Sequence, residues 1–251
     1  MPEKISTLSH LGEEIAYMQQ TGAANKPGLV FLGGFRSDMT GSKAQALADY
    51  AARNDLSYLR FDYFGHGASS GDFLKGTISH WRAEVAHVLS TLTQGPLILV
   101  GSSFGGWLSV MMGCEMPERI KGLVLIAPGI DMTERLMWHE FDTEMRAQLQ
   151  KEGLVYIPSD YDEQGYPITK ELIEDGRQHL MLQDKIAFNG PVRILHGQQD
   201  TAVPCDLSLE LAAQLTSQDV ELHFVKSGDH SLSNPDNLVL LCSTLDSLYK
   251  F

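Results

Sequence analysis

Leu97-Ile-Leu-Val-Gly-Ser-Ser-Phe-Gly-Gly-Trp107 carries a buried strand, a tight corner and a helix start in immediate succession. Its first four residues are apolar and of strand length, and 107–115 reads as helix. The corner, 101–105, matches Gly-x-Ser-x-Gly with Ser103 at its apex. Glycines on either side let the chain turn sharply, so the serine hydroxyl stands out at a helix N-terminus where negative charge is favoured. Ser103 is therefore the candidate nucleophile, and Ser102, one position off the pattern, reads as structural.

Working outward, short apolar strands alternate with helices. A hairpin (4–9 and 13–19) precedes strands at 29–32, 56–61, 97–100, 123–127, 192–195 and 221–225. Helices are expected at 42–53 with Ser42 as cap, from a Thr77 cap to 92, at 205–215 and at 235–249. This alternation predicts an α/β fold with a mostly parallel central sheet covered by helices on both faces. Residues 130–186 break it. They read as helical fragments (133–150 and 169–181) around a turn-rich stretch, with Trp138, Phe141, Tyr156, Tyr161 and Tyr166 among them. So long a connection is often functional, and it is expected to be a helical cap inserted into a single domain spanning 1–251; an ordinary helical excursion is the alternative.

A serine hydroxyl needs a base. In the order nucleophile, acid, histidine, Asp200 closes the turn after strand 192–195 and His230 follows strand 221–225, each at a strand's C-terminal edge. Asp62 and Asp229 remain rival carboxylates. Of the other histidines, His66 reads as a loop hydrogen-bonder and His196 as an anchor for the loop carrying Asp200. The backbone N–H groups of Phe35, after Gly33-Gly34, and of Phe104 are the expected oxyanion donors. Arg36, Trp138 and Phe141 are candidates for the substrate pocket, Arg36 with a solvated surface charge as its alternative.

Composition narrows the partners. The 251 residues are 43% hydrophobic and 20% charged, with mean hydropathy −0.12 and no apolar run long enough for a membrane span. Nineteen Lys and Arg against 32 Asp and Glu give −13, which repels a nucleic-acid backbone. No P-loop, dinucleotide fingerprint or metal-ligand spacing occurs, so no cofactor and no metal are implied. Cys114, Cys205 and Cys242 are odd in number and dispersed, as in reduced cytosolic thiols.

With Gly33-Gly-Phe35, Asp62-Tyr-Phe-Gly-His-Gly-Ala-Ser-Ser70, the corner at 101–107, His196-Gly-Gln-Gln-Asp200 and Gly-Asp-His230 in one order, the chain resembles the α/β-hydrolase superfamily over nearly its whole length. More narrowly, Phe31-Leu-Gly-Gly-Phe35, Thr40-Gly-Ser-Lys-Ala44, Arg60-Phe-Asp-Tyr63, Trp81-Arg82 and Arg193-Ile-Leu-His-Gly197 are similar to the mitochondrial palmitoyl-protein thioesterase and acyl-glucuronide esterase subgroup. The resemblance implies Ser103, Asp200 and His230 as triad, with small-molecule acyl esters or thioesters, or an acylated protein, as substrates. It departs in that residues 1–10 do not read as a transit peptide, so a cytoplasmic location is expected. Carbon–carbon bond hydrolysis, peptidase activity and non-catalytic ligand binding are the alternatives; a serine at the apex argues against the epoxide hydrolases and dehalogenases of this fold, which use aspartate there.

Overall fold

Core strands such as Leu29-Val-Phe-Leu32 are apolar at every position because both faces of their sheet are covered. The structure is a computed structural model that describes residues 4–159 and 162–249. It opens with β1 (Ser6–His10) and β2 (Glu13–Gln20), an antiparallel hairpin. Then come β3 (Gly28–Leu32), α1 (Ser42–Arg53), β4 (Tyr58–Phe61), α2 (Ile78–Leu92), β5 (Leu97–Ser102), α3 (Phe104–Glu115) and β6 (Ile120–Ile126). After an excursion come β9 (Val192–Gly197), α6 (Cys205–Gln214), β10 (Val220–Val225) and α7 (Pro235–Leu248). The excursion itself holds a π-helical turn (Thr133–Trp138), α4 (Thr143–Glu152), β7 (Leu154–Ser159), β8 (Asp162–Thr169), α5 (Lys170–Gly176) and a 3-10 turn (Arg177–His179).

The strands form an eight-stranded sheet in the order β1-β2-β4-β3-β5-β6-β9-β10, parallel from β4 to β10. The α/β-hydrolase architecture expected from the sequence is therefore the one observed. Period-two alternation divides each strand between two cores. Val30, Leu32, Leu97, Leu99, Leu123 and Leu125 face one side with Trp81 and Trp107, both fully buried. Leu29, Phe31, Ile98, Val100, Val124 and Ile126 face the other, with Leu47 of α1 and Leu245 of α7. β5 lies at the centre, so the loops leaving β3, β5, β6 and β9 converge at one edge of the sheet.

Several local expectations change. Gly41, not Ser42, occupies the N-cap of α1, without a side-chain cap, and Ser42 is already helical. Thr77 caps α2 as expected, accepting from His80 N at 3.2 Å. The helix after the corner starts at Phe104. The expected helix over 133–150 is two pieces, because Asp142 caps a new start by accepting from Met145 N at 2.8 Å. The turn-rich stretch is an antiparallel hairpin. Gly153, left-handed at φ 76°, stops α4, and Val155 and Ile168 then pair across β7 and β8 with both side chains buried. Tyr161 lies outside the described residues. No helix among the described residues is long and apolar enough to cross a membrane.

Candidate active site

Ser103 takes φ 52° and ψ −114°, a strained conformation held by its neighbours. Its N–H donates to Ile126 O at 2.8 Å, continuing the β5–β6 ladder one residue past the strand. Its carbonyl accepts from Gly106 N at 2.9 Å and Gly129 N at 3.0 Å. The corner requires glycine at 105, where a Cβ would lie 2.0 Å from Leu32 O. Strand β3 and α3 are thereby pressed together, which brings the loop after β3 beside Ser103.

His230 Nε2 lies 3.1 Å from Ser103 Oγ, and His230 Nδ1 lies 2.7 Å from Asp200 Oδ2. The carboxylate fixes Nδ1 as the protonated nitrogen, leaving Nε2 to accept the serine O–H. Asp200 is 0% exposed at its side chain and His230 is 22% exposed. Burial alone would push the Asp200 carboxyl up, but hydrogen bonds from His196, His230 and Val203 N outweigh it and hold the group well below the usual carboxylate range. Asp200 Oδ1 accepts from Ala202 N and Val203 N, each at 2.8 Å. Gly197 makes the pairing of the two loops possible, since a Cβ there would lie 2.3 Å from Gly228 O.

The rival carboxylates are engaged elsewhere. Asp62 accepts from Met39 N at 2.6 Å and Ala68 N at 2.7 Å, tying two loops together. Asp229 accepts from Leu232 N at 2.9 Å and shapes the turn after His230. His66 Nδ1 donates to Phe64 O at 3.0 Å. Burial lowers its imidazole to about 4, the Phe64 carbonyl opposing and Arg36 adding to the shift.

Phe35 and Phe104 stand side by side, ring centroids 6.0 Å apart, and neither backbone N–H donates to another group among the described residues. Gly34 flanks Ser103; a Cβ there would sit 3.7 Å from Ser103 Cβ. Arg36 is exposed at φ 58°, its guanidinium 5.2 Å from the Phe73 ring centroid and 5.4 Å from that of Tyr166. It therefore stands where the 130–186 excursion meets the sheet. Neither Trp138 nor Phe141 makes a ring contact or hydrogen bond with Ser103, Asp200 or His230 among the described residues. The indole of Trp138 lies between Arg146 and Arg177, at 5.0 and 4.7 Å, and Phe141 is 3% exposed in the core.

Sequence reasoning missed Tyr166 and Lys43. Tyr166 of β8 packs edge-on against Phe35 at 6.2 Å, and its only sequence signal was an aromatic in the excursion. Lys43 of α1 donates to Ser231 O at 2.5 Å and Ser233 Oγ at 3.1 Å, pinning the loop just after His230. Burial lowers its amine to about 8, with Asp229 opposing. The three cysteines are unpaired, and no group of three His, Cys, Asp or Glu with metal-binding geometry occurs among the described residues.

The family described as serine aminopeptidase, S33, matches residues 25–158. Palmitoyl-protein thioesterase ABHD10, mitochondrial, of Mus musculus is 35% identical over 237 residues, which is 93% of this chain and 78% of the relative. The structure of mouse alpha/beta hydrolase domain-containing protein 10 superposes with a TM-score of 0.90 at 33% identity, covering 98% of each chain. A protein of Agrobacterium vitis S4 superposes with 0.95 at 35% identity over the whole of both. The expectation of a cytoplasmic location is overturned: the ABHD10 relatives from rat, mouse and human are named mitochondrial, and the composition of the first ten residues and three cysteines does not outweigh them. By this match in sequence and in fold, the chain belongs to the α/β-hydrolase family, in the company of the ABHD10 proteins.

Proposed function

We propose that the protein is a serine hydrolase that cleaves carboxylic esters or thioesters through an acyl-enzyme. The observation that carries this reading is the unbroken chain from Asp200 through His230 to Ser103, at 2.7 and 3.1 Å. Ser103 Oγ attacks the acyl carbonyl carbon while His230 Nε2 takes the hydroxyl proton. Asp200 holds the imidazole in the required tautomer and balances the imidazolium. The N–H groups of Phe35 and Phe104 receive the negative charge that develops on the carbonyl oxygen. Collapse breaks the bond to the leaving group, which takes the proton from His230. Water, deprotonated by His230, then attacks the acyl-enzyme; the acid leaves and Ser103 recovers its proton.

The substrate class is long-chain acyl thioesters or esters, on the strength of relatives named palmitoyl-protein thioesterase over 93% of this chain. The excursion supports that class through Tyr166, which packs together with Phe73 against Phe35 in the loop beside Ser103. Ser103→Ala should abolish p-nitrophenyl ester turnover and fluorophosphonate labelling while leaving the melting temperature within a few degrees. Unchanged turnover would remove Ser103 from the mechanism, and peptide hydrolysis exceeding ester hydrolysis would favour the peptidase named in the family description.

A further inference from the structure

We propose that His196 is a positioning residue for the reaction, holding the Asp200 carboxylate on His230 through a second N–H shared with the same oxygen. The proposal rests on the reading of Ser103, His230 and Asp200 given above. His196 is the last but one residue of β9 and is 1% exposed. Its Nε2 lies 2.9 Å from Val203 O and 3.2 Å from Asp200 Oδ2. A carbonyl only accepts, so Nε2 carries the hydrogen, and that hydrogen faces both oxygens. The other nitrogen, Nδ1, lies 2.7 Å from Ser208 Oγ on α6, whose O–H therefore donates into the ring. The tautomer is fixed at both ends.

The consequence lies in Asp200 Oδ2. It accepts from His230 Nδ1 and faces His196 Nε2, whereas Oδ1 takes the two backbone donors of the turn. All of the carboxylate's directions are thus filled by donors, and rotation that would break the bond to His230 is opposed. An Asp200 that loses the His196 donor becomes a stronger base. It then holds the imidazolium more tightly, so His230 is free to act as a base only at higher pH and gives its proton to the leaving group less readily. The other titratable groups nearby are Cys205 and Asp206 at the start of α6, and Asp229 and Lys43 on the His230 side. None of them donates to Oδ2 among the described residues.

The test compares His196→Phe, which keeps a ring without N–H, with His196→Gln, which keeps an amide donor. In His196→Phe, kcat on a p-nitrophenyl ester should fall on the order of tenfold, the scale of one lost hydrogen bond to a charged group. KM should stay within about twofold, and the acid limb of kcat/KM should move to higher pH. His196→Gln should recover most of kcat and the original limb. Nuclear magnetic resonance titration of the His230 ring in the same variants should move in the same direction, and it is readable even if no ester is turned over. An unmoved limb together with an unmoved His230 titration would overturn the proposal, as would equal losses in both variants. Should His196→Phe not fold, Ser208→Ala, which frees one end of the ring, should give a smaller shift of the same sign; no shift there overturns it too. Wild-type protein inert toward every ester and thioester, with the His230 titration of His196→Phe still displaced from that of the wild type, would instead sink the hydrolase reading and leave the positioning role standing.

Discussion

Glu84 on α2 is 2% exposed, and both its carboxyl oxygens accept from Phe64 N, at 2.9 and 3.1 Å. Burial raises its pKa to about 7, the Phe64 N–H opposing. The folded chain therefore keeps a proton that an unfolded chain, with a glutamate near about 4.3, would lose. The associated stability is full below about 4.3 and is lost as pH rises through about 7. Glu84→Gln, neutral at every pH, should gain stability relative to the parent as pH rises from 4 to 8, by up to about 3 kcal/mol. Urea titrations across that range check it, and a pH-independent difference would mean that Glu84 ionises normally. At this scale the sequence was most legible where chemistry demands a fixed type and order. Ser103, Asp200 and His230 are each announced by a glycine-bearing corner at a strand end, and the structure brings the three together. Lys43 and Glu84 were silent, because a buried charge is recognised by what surrounds it, and those neighbours come from distant parts of the chain.

The excursion shows where elements were misread. Gly153, Gly165, Pro158 and Pro167 look like breakers, yet a two-stranded edge hairpin tolerates proline and glycine where an inner strand would not. What outweighs them is alternation: Val155 and Ile168 turn inward while Tyr156 remains exposed. The register carries Tyr166 opposite Ile157 and sets its ring over Phe35, in contact with the guanidinium of Arg36. We expect a long acyl chain to lie against this ring and bury one to two methylenes on it, at about 0.8 kcal/mol each. Tyr166→Ala should therefore lower kcat/KM for long-chain acyl esters roughly threefold to tenfold while changing the acetyl ester less than about twofold. Rates across an acyl-chain series decide it. An equal loss at every chain length would show the ring supporting the oxyanion loop and not the acyl chain.

Across the whole molecule, the same hydrophobic cluster runs from the sheet into the excursion. Met137, Phe141, Leu149, Val155, Ile168 and Leu172 pack in continuity with Trp81, Val85, Trp107 and Leu125. The link is also polar: Asp175 of α5 accepts from Ser79 N at 2.7 Å and Ser79 Oγ at 2.6 Å at the start of α2, and Asp131 accepts from Met181 N and Leu182 N where the segment returns. A cap with its own core would be free to melt alone; one that shares its core with the sheet is not. We therefore propose that residues 1–251 unfold as one unit, the triad being divided between strands on either side of the 130–186 insertion. The three tryptophans make this measurable, because Trp138 lies in the excursion and Trp81 and Trp107 lie against the sheet. Urea unfolding followed by tryptophan fluorescence in the parent and in Trp138→Phe should give, within each protein, the same midpoint as far-ultraviolet circular dichroism. If the parent's fluorescence midpoint precedes its dichroism midpoint while the two coincide in Trp138→Phe, the excursion opens first and the single-unit reading fails.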